Sequence, residues 1–273
     1  MAATDSSVYI IRGGVAGRER LRVLSRVMAP MTQRLLERIG VPRGARCLDA
    51  GCGGGDVSLT LARVVGPSGA VLGVDIDRVK LDLARYEAED AGVSNIEYRR
   101  AALHELPSDG TFDLGYARFL LSHLPDPAAA LAHLIAAVRP GGVVAVQDID
   151  YSTGLCHPPN AAYDVSWDLY PRLAVHGGGD PWLGRRLPIL FAEAGLEDIG
   201  VHIEQPAGFD ADTKLLGALT FESIADTAVE AGLADAGEID AHLHELHRFA
   251  ARPDTLLSLP RMVQVWARVP AAR

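Results

Sequence analysis

The chain has little of what would place it in an oxidising compartment, in a membrane or on nucleic acid. Three cysteines in 273 residues, Cys47, Cys52 and Cys156, cannot build a disulfide framework, so a reducing cytoplasm is predicted. Hydrophobic residues make up 48% of the chain, yet no run reaches the ~18 uninterrupted apolar residues of a membrane span. The first seven residues lack the basic start of a secretion signal, and Val8 to Ile11 is too short for its apolar core. Cations are outnumbered, 26 Lys and Arg against 35 Asp and Glu, for a formal charge of −9. Nucleic-acid binding relies on clustered cations, so no nucleic-acid and no membrane partner is expected. Arg12, Arg18, Arg20, Arg22 and Arg26 do gather, but their helical spacing reads as a solvated face. The sequence leaves homo-oligomerisation open.

What is present is concentrated between residues 40 and 150. Cys47-Leu48-Asp49-Ala50 reads as a buried strand, Gly51-Cys52-Gly53-Gly54-Gly55 as a sharp turn, and Asp56 as the start of a helix. Glycines at 51, 53 and 55 let the backbone bend and approach a ligand closely, because no Cβ stands in the way. Asp49 places a carboxylate at one strand tip, and Asp75 closes the next, Val71-Leu72-Gly73-Val74. A carboxylate there can accept from two ribose hydroxyls. A dinucleotide fingerprint would need a third glycine where Asp56 stands, and Asp56 would repel a pyrophosphate. That residue argues against the rival reading, a NAD-dependent oxidoreductase.

The Asp-x-Gly-x-Gly-x-Gly loop resembles motif I of the class I S-adenosylmethionine-dependent methyltransferases. Further segments carry the same resemblance: Asp75-Ile76-Asp77, Phe112-Asp113-Leu114, Arg118 to Pro127, and Val138-Arg139-Pro140-Gly141-Gly142 before strand five. It implies an α/β fold, a Rossmann-like seven-stranded mostly parallel sheet with helices on both faces, plus helical cap insertions. It also implies S-adenosylmethionine as cofactor and S-adenosylhomocysteine as product. Ile76 would pack on the adenine, and Ala102 and Leu103 would meet its edge. Ala102 departs from the family, which usually places an Asp there to accept the adenine amino group; Glu105 or His104 is left to substitute. Tyr9 and Arg12 resemble a gate over the methionine end, with Arg118 a second candidate for its carboxylate and surface ion pairs the alternative.

The remaining organisation follows from periodicity. Leu21, Leu24, Met28, Met31, Leu35 and Ile39 recur at steps of three and four, predicting a helix over ~19–39. Strands are predicted near 46–50, 71–75, 96–99, 112–117, 142–148, 198–204 and 262–269, with helices near 56–65, 78–91, 127–138 and 184–194. One methyltransferase domain over 1–273 is expected: a helical gate at 1–45, a cofactor core at 46–150, and acceptor-side insertions with the last two strands at 151–273. Two stretches, ~151–183 and ~209–258, exceed plain crossovers and read as a cap over the strand ends. His157 in the first is the predicted base, with Asp148 or Asp150, at the end of strand five, orienting the acceptor; a packed structural role is expected for His123. His242, His244 and His247 do not make a ligand set, so no metal is predicted. The function expected is in-line SN2 transfer of a methyl group to a small-molecule acceptor of secondary-metabolite type. A cofactor-binding protein or regulator that does not methylate is the other alternative.

Overall fold

The computed structural model describes residues 14–106 and 108–271. In chain order the elements are α1 (Gly14–Ile39), β1 (Arg46–Ala50), α2 (Asp56–Val65), β2 (Ala70–Asp75), α3 (Arg78–Asp90), β3 (Ile96–Arg100), β4 (Phe112–Arg118), α4 (Pro127–Ala137) and β5 (Val138–Asp150). There follow β6 (Cys156–His157), α5 (Ala161–His176), α6 (Leu187–Glu193), β7 (Glu197–Glu204), β8 (Ala207–Gly208), α7 (Ala211–Glu230), α8 (Ala236–Ala251), β9 (Leu256–Ser258) and β10 (Arg261–Arg268).

Seven strands form one sheet in the order β3-β2-β1-β4-β5-β10-β7. β10 alone runs against its neighbours β5 and β7, and the pairs from β3 through β5 are parallel. The chain order reverses between β1 and β4, and open α/β sheets hold ligands beyond the carboxyl ends of the strands at such a switch point. Register brings the tips level. Ala50 pairs with Val74 on one side and Ala117 on the other, so the glycine loop, Asp75 and Arg118 emerge side by side.

Alternation along the strands divides the core. Cys47, Val71, Leu114 and Tyr116 face Leu35, Leu36, Val57, Leu61 and Val65 of α1 and α2. Leu48, Leu72 and Val146 face the other way, onto α4 and α6. A third core lies above the strand ends, where Val23, Leu24, Met28 and Met31 of α1 meet α5, α7 and α8. One helix therefore serves two cores, its C-terminal half on the sheet and its N-terminal half in the cap.

Two local differences from expectation have simple causes. The helix foreseen at 184–194 begins as a 3-10 turn, Leu183–Arg186, and becomes α-helical at Leu187, where Pro188 suits a first turn that needs no N–H donor. A second sheet, β6-β9-β8, was not foreseen, because strands of two or three residues carry no readable period.

Candidate active site

The loop after β1 is shaped by three left-handed glycines, with φ of 67° at Gly51, 52° at Gly53 and 82° at Gly55. They do different things. A Cβ at Gly53 would meet nothing within 4 Å, so this residue opens onto the cavity. Gly51 also lines the cavity, with Leu120 behind it at 2.9 Å from a hypothetical Cβ. Gly55, expected at the ligand, is instead buried, and a Cβ there would stand 2.8 Å from that of Ala84. Its smallness lets α3 and Tyr98 pack beneath the loop.

Asp75 lies in the cavity wall. One carboxylate oxygen accepts from the Gly53 amide and the other from the Asp77 amide, each at 2.9 Å. Each oxygen keeps a second lone pair for a ligand hydroxyl. Ile76 stands beside it, 53% exposed, and Ala102 and Leu103 line the same end. The Ala102 amide already donates to Glu105 Oε2 at 2.7 Å, so Glu105 is turned onto its own backbone and only His104 of that pair reaches the cavity.

Asp49 corrects the reading of the first strand tip. It is 1% exposed, lies behind the loop rather than in the cavity wall, and accepts from Ser58 Oγ at 2.6 Å. Burial pushes its carboxyl up to about 7, with Ser58 acting the other way. It pins the loop to α2, and of the two strand-tip carboxylates Asp75 is the one that lines the cavity.

Arg118 and Asp56 form a pair in the wall. Arg118 Nη2 reaches both Asp56 oxygens, at 2.8 and 2.6 Å, and Nη1 reaches Thr32 Oγ1 at 3.3 Å. The guanidinium is therefore joined to α1 and α2 at once. Asp56, predicted to repel a pyrophosphate, neutralises the one strongly buried cation at this strand tip. Phe119, next in the chain, has φ of 52°, a left-handed conformation uncommon for a side chain of its size, and also lines the cavity.

The two predicted catalytic residues lie elsewhere. His157 is exposed in the two-residue strand β6 and is absent from the cavity wall. Asp148 is fully buried, accepting from the Ser122 and Ile149 amides at 3.0 and 2.9 Å, and burial pushes it up to about 6. It fastens the turn after β4 to β5. Asp150 is held by Arg185 at 2.5 Å. His123 does reach the cavity, and burial, with Arg20 and Lys80 adding, pushes its imidazole down to about 4. Tyr9 and Arg12 lie outside the described residues. Among the described residues no three His, Cys, Asp or Glu side chains gather as metal ligands, and His247 pairs with Glu222 at 3.5 Å.

From the glycine loop the cavity, about 830 Å³, continues into a chamber under the cap. Pockets of this size hold a drug-sized ligand. Leu24 and Met28 of α1, Tyr151, Trp167 and Tyr170 of the first insertion, and Phe221 of α7 close it. Arg20 belongs to this wall, not to a solvated face: it is 9% exposed and its Nε donates to Thr220 Oγ1 at 3.3 Å. The signal was present in the sequence, since 20, 24, 28 and 31 fall on one helix stripe. Arg22 and Arg26 are surface residues, paired with Glu87 and Asp212.

A nucleoside with a cationic tail fits this donor set. The loop offers an open cradle at Gly53, the carboxylate of Asp75 faces the cavity, and the helix after the loop starts with Asp56 rather than an anion site. Residues 42–168 match the family model described as a methyltransferase domain. Over 111 residues the chain is 39% identical to a ubiquinone biosynthesis O-methyltransferase of Acinetobacter baylyi, covering 40% of this chain and 45% of that one. Over 137 residues it is 36% identical to a ubiquinone/menaquinone biosynthesis C-methyltransferase of Cronobacter sakazakii, covering 49% and 54%. The chain thus spans about half the length of these curated relatives. Among solved structures, the [4+2]-cyclase SpnF has a TM-score of 0.56 at 21% identity, over 89% of this chain and 81% of that one. Phosphoethanolamine N-methyltransferase 2 of Haemonchus contortus, in complex with S-adenosyl-L-methionine, has 0.56 at 17%, over 88% and 52%. At these identities the structures establish the fold. Residues 42–168 carry a class I S-adenosylmethionine-dependent methyltransferase domain. S-adenosylmethionine is the cofactor of that domain.

Proposed function

We propose that the protein transfers a methyl group from S-adenosylmethionine to a small-molecule acceptor held under the cap. The observation that carries this reading is the continuity of one cavity from Gly53 and Asp75 to the apolar chamber beneath α5 and α7. Bound there, S-adenosylmethionine supplies an electrophilic methyl group on a sulfonium. Asp75 would hold the ribose hydroxyls, and Ile76 with Leu103 the faces of the base. The Arg118–Asp56 pair, one charge of each sign, suits a zwitterionic amino-acid end. The chamber residues bring the acceptor atom to ~3–3.5 Å in line with the breaking bond and keep water out, which is most of what such a transfer needs. Residues 1–45 would act as gate, 46–150 as cofactor core, and 151–273 as acceptor side of one domain.

The test is calorimetric titration with S-adenosylhomocysteine, followed by transfer of labelled methyl from S-adenosylmethionine to candidate acceptors. Asp75→Ala is expected to weaken S-adenosylhomocysteine at least tenfold. Unchanged affinity would remove the ribose assignment. Tight binding with no transfer to any acceptor would favour a cofactor-binding protein that does not methylate.

A further inference from the structure

Charge is distributed unevenly along the cavity. Its acidic residues, Asp56, Asp75, Asp77 and Asp126, all belong to the turns and helix starts that follow the parallel strands. Of the cations at that end, Arg118 is answered by Asp56, Lys80 by Asp77 at 3.8 Å, and Arg100 donates to the Ile76 carbonyl beside Asp75 and Asp77. The wall under the cap holds no carboxylate of a described residue, yet it holds two buried cations. Arg20 is 9% exposed, and its hydrogen bond within the described residues goes to the neutral Thr220. Lys214 is 3% exposed and donates to the Arg252 carbonyl and Thr255 Oγ1.

Most of the rest of the chamber is aromatic or aliphatic, with Ser166, Thr220 and Ser258 its neutral polar side chains. Tyr151 stacks on Tyr170 at 4.8 Å and 15°, and meets Trp167 at 4.5 Å. Stacked rings offer a flat wall to a ring system. They are packed on one another, so they do not form a cage open to a cation. A cationic amine entering here would face Arg20 and the cofactor sulfonium with no carboxylate among the described residues of the cap wall to answer it, in a medium where like charges repel far more strongly than in water. Three imidazoles line the cavity among the described residues: His104, beside Leu103, and His133, on α4, belong to the cofactor end, and His123 is a poor proton acceptor for the reason given above. The acceptor therefore has to arrive already able to shed its own proton.

Resting on the methyltransferase reading, we propose that the acceptor is a flat, carbon-rich acid, a phenol or enol that binds as its oxyanion beside Arg20, and that amines are excluded. The balance is simple. The hydroxyl proton leaves to water as the anion forms. A lone pair on the acceptor oxygen makes the new O–CH₃ bond, and the pair of the S–CH₃ bond stays on sulfur, giving a neutral thioether and a methyl ether. Arg20 offsets the cost of burying the oxyanion, because an opposite charge within ~4–6 Å favours the charged form.

The experiment uses the full chain with two probes of matched size, a nitro-substituted naphthol and a naphthylmethylamine, each titrated with and without S-adenosylhomocysteine. The bound naphthol is expected to ionise at least one pH unit lower than in water, read from phenolate absorbance, and to bind at least tenfold tighter than the amine. Arg20→Gln is expected to shrink the ionisation shift while leaving S-adenosylhomocysteine affinity within about threefold. If that variant does not fold, the wild-type shift and preference still decide. Equal or tighter binding of the amine, an unshifted or raised ionisation, or binding of neither probe would overturn the proposal. Failure to bind S-adenosylhomocysteine would instead overturn the methyltransferase reading, and the naphthol titration without it would still judge the acceptor class.

Discussion

The cofactor end and the cap end of one cavity are built by different means. At the cofactor end, the turns after the strands do most of the work: Gly53 and Asp77 hold Asp75, Ser58 holds Asp49, and Glu105 holds the Ala102 amide, with Arg118 reaching across to Asp56. At the cap end, side chains far apart in sequence meet, as Arg20 does Thr220 and Met28 does Phe221 in a shared core. The first end is a rigid frame set by turn chemistry. The second is a packed chamber set by helix docking, and α1 is the element the two share.

Substitutions can break that separation or sharpen it. The largest effect is expected in the cap. Phe221 is 2% exposed, so Phe221→Ala should lower stability by about 3–5 kcal/mol in urea unfolding. Because Phe221 belongs to the cap core, S-adenosylhomocysteine affinity of the folded fraction should stay within about threefold; a larger loss would mean the two ends are coupled. Gly51→Val does the opposite. It combines φ of 67° with a Cβ 2.9 Å from Leu120, and strain of about 1–3 kcal/mol should appear as a tenfold to hundredfold loss of S-adenosylhomocysteine in calorimetry.

Asp49 gives a subtler test through pH. Its folded pKa lies above its ordinary value, so the folded state holds its proton more tightly than the unfolded chain does. The stability tied to that proton is full below about pH 4 and is lost as pH rises through about 7. Asp49→Asn should flatten that part of the decline, measured by urea midpoints at pH 5 and pH 8; an unaltered slope would contradict the burial argument. The smallest effect is reserved for His157, which is outside the cavity. His157→Ala should leave the methyl-transfer rate within about twofold, and a hundredfold loss would restore the role expected of it from sequence.

The same division explains what could be read in advance. The strands from β1 to β5, the glycine turn and Asp75 were legible because each is a local pattern: an apolar run, a turn composition, an acid at a fixed spacing. The facing of Asp49 and Gly55, away from the cavity, was not legible, because sequence shows that a residue is at a strand tip or in a turn, but not which way its side chain or its missing Cβ faces. The outward placement of His157 and the burial of Asp148 were not legible for a related reason. A histidine in a long insertion looks available, yet β6 carries it to the outer surface, and the last residues of β5 point into the protein. Arg20 was hidden by composition, since a cluster of arginines suggests solvent even when one lies on the apolar stripe.

The central claim is that the bend at Gly51 to Gly55 and the carboxylate of Asp75 receive the nucleoside of S-adenosylmethionine. A crystal structure of the full chain soaked with S-adenosylhomocysteine tests this most directly. Density for a ribose against Asp75, with the base between Ile76 and Leu103, is the predicted result. An empty loop after soaking, or a nucleoside seated elsewhere in the cavity, would contradict it.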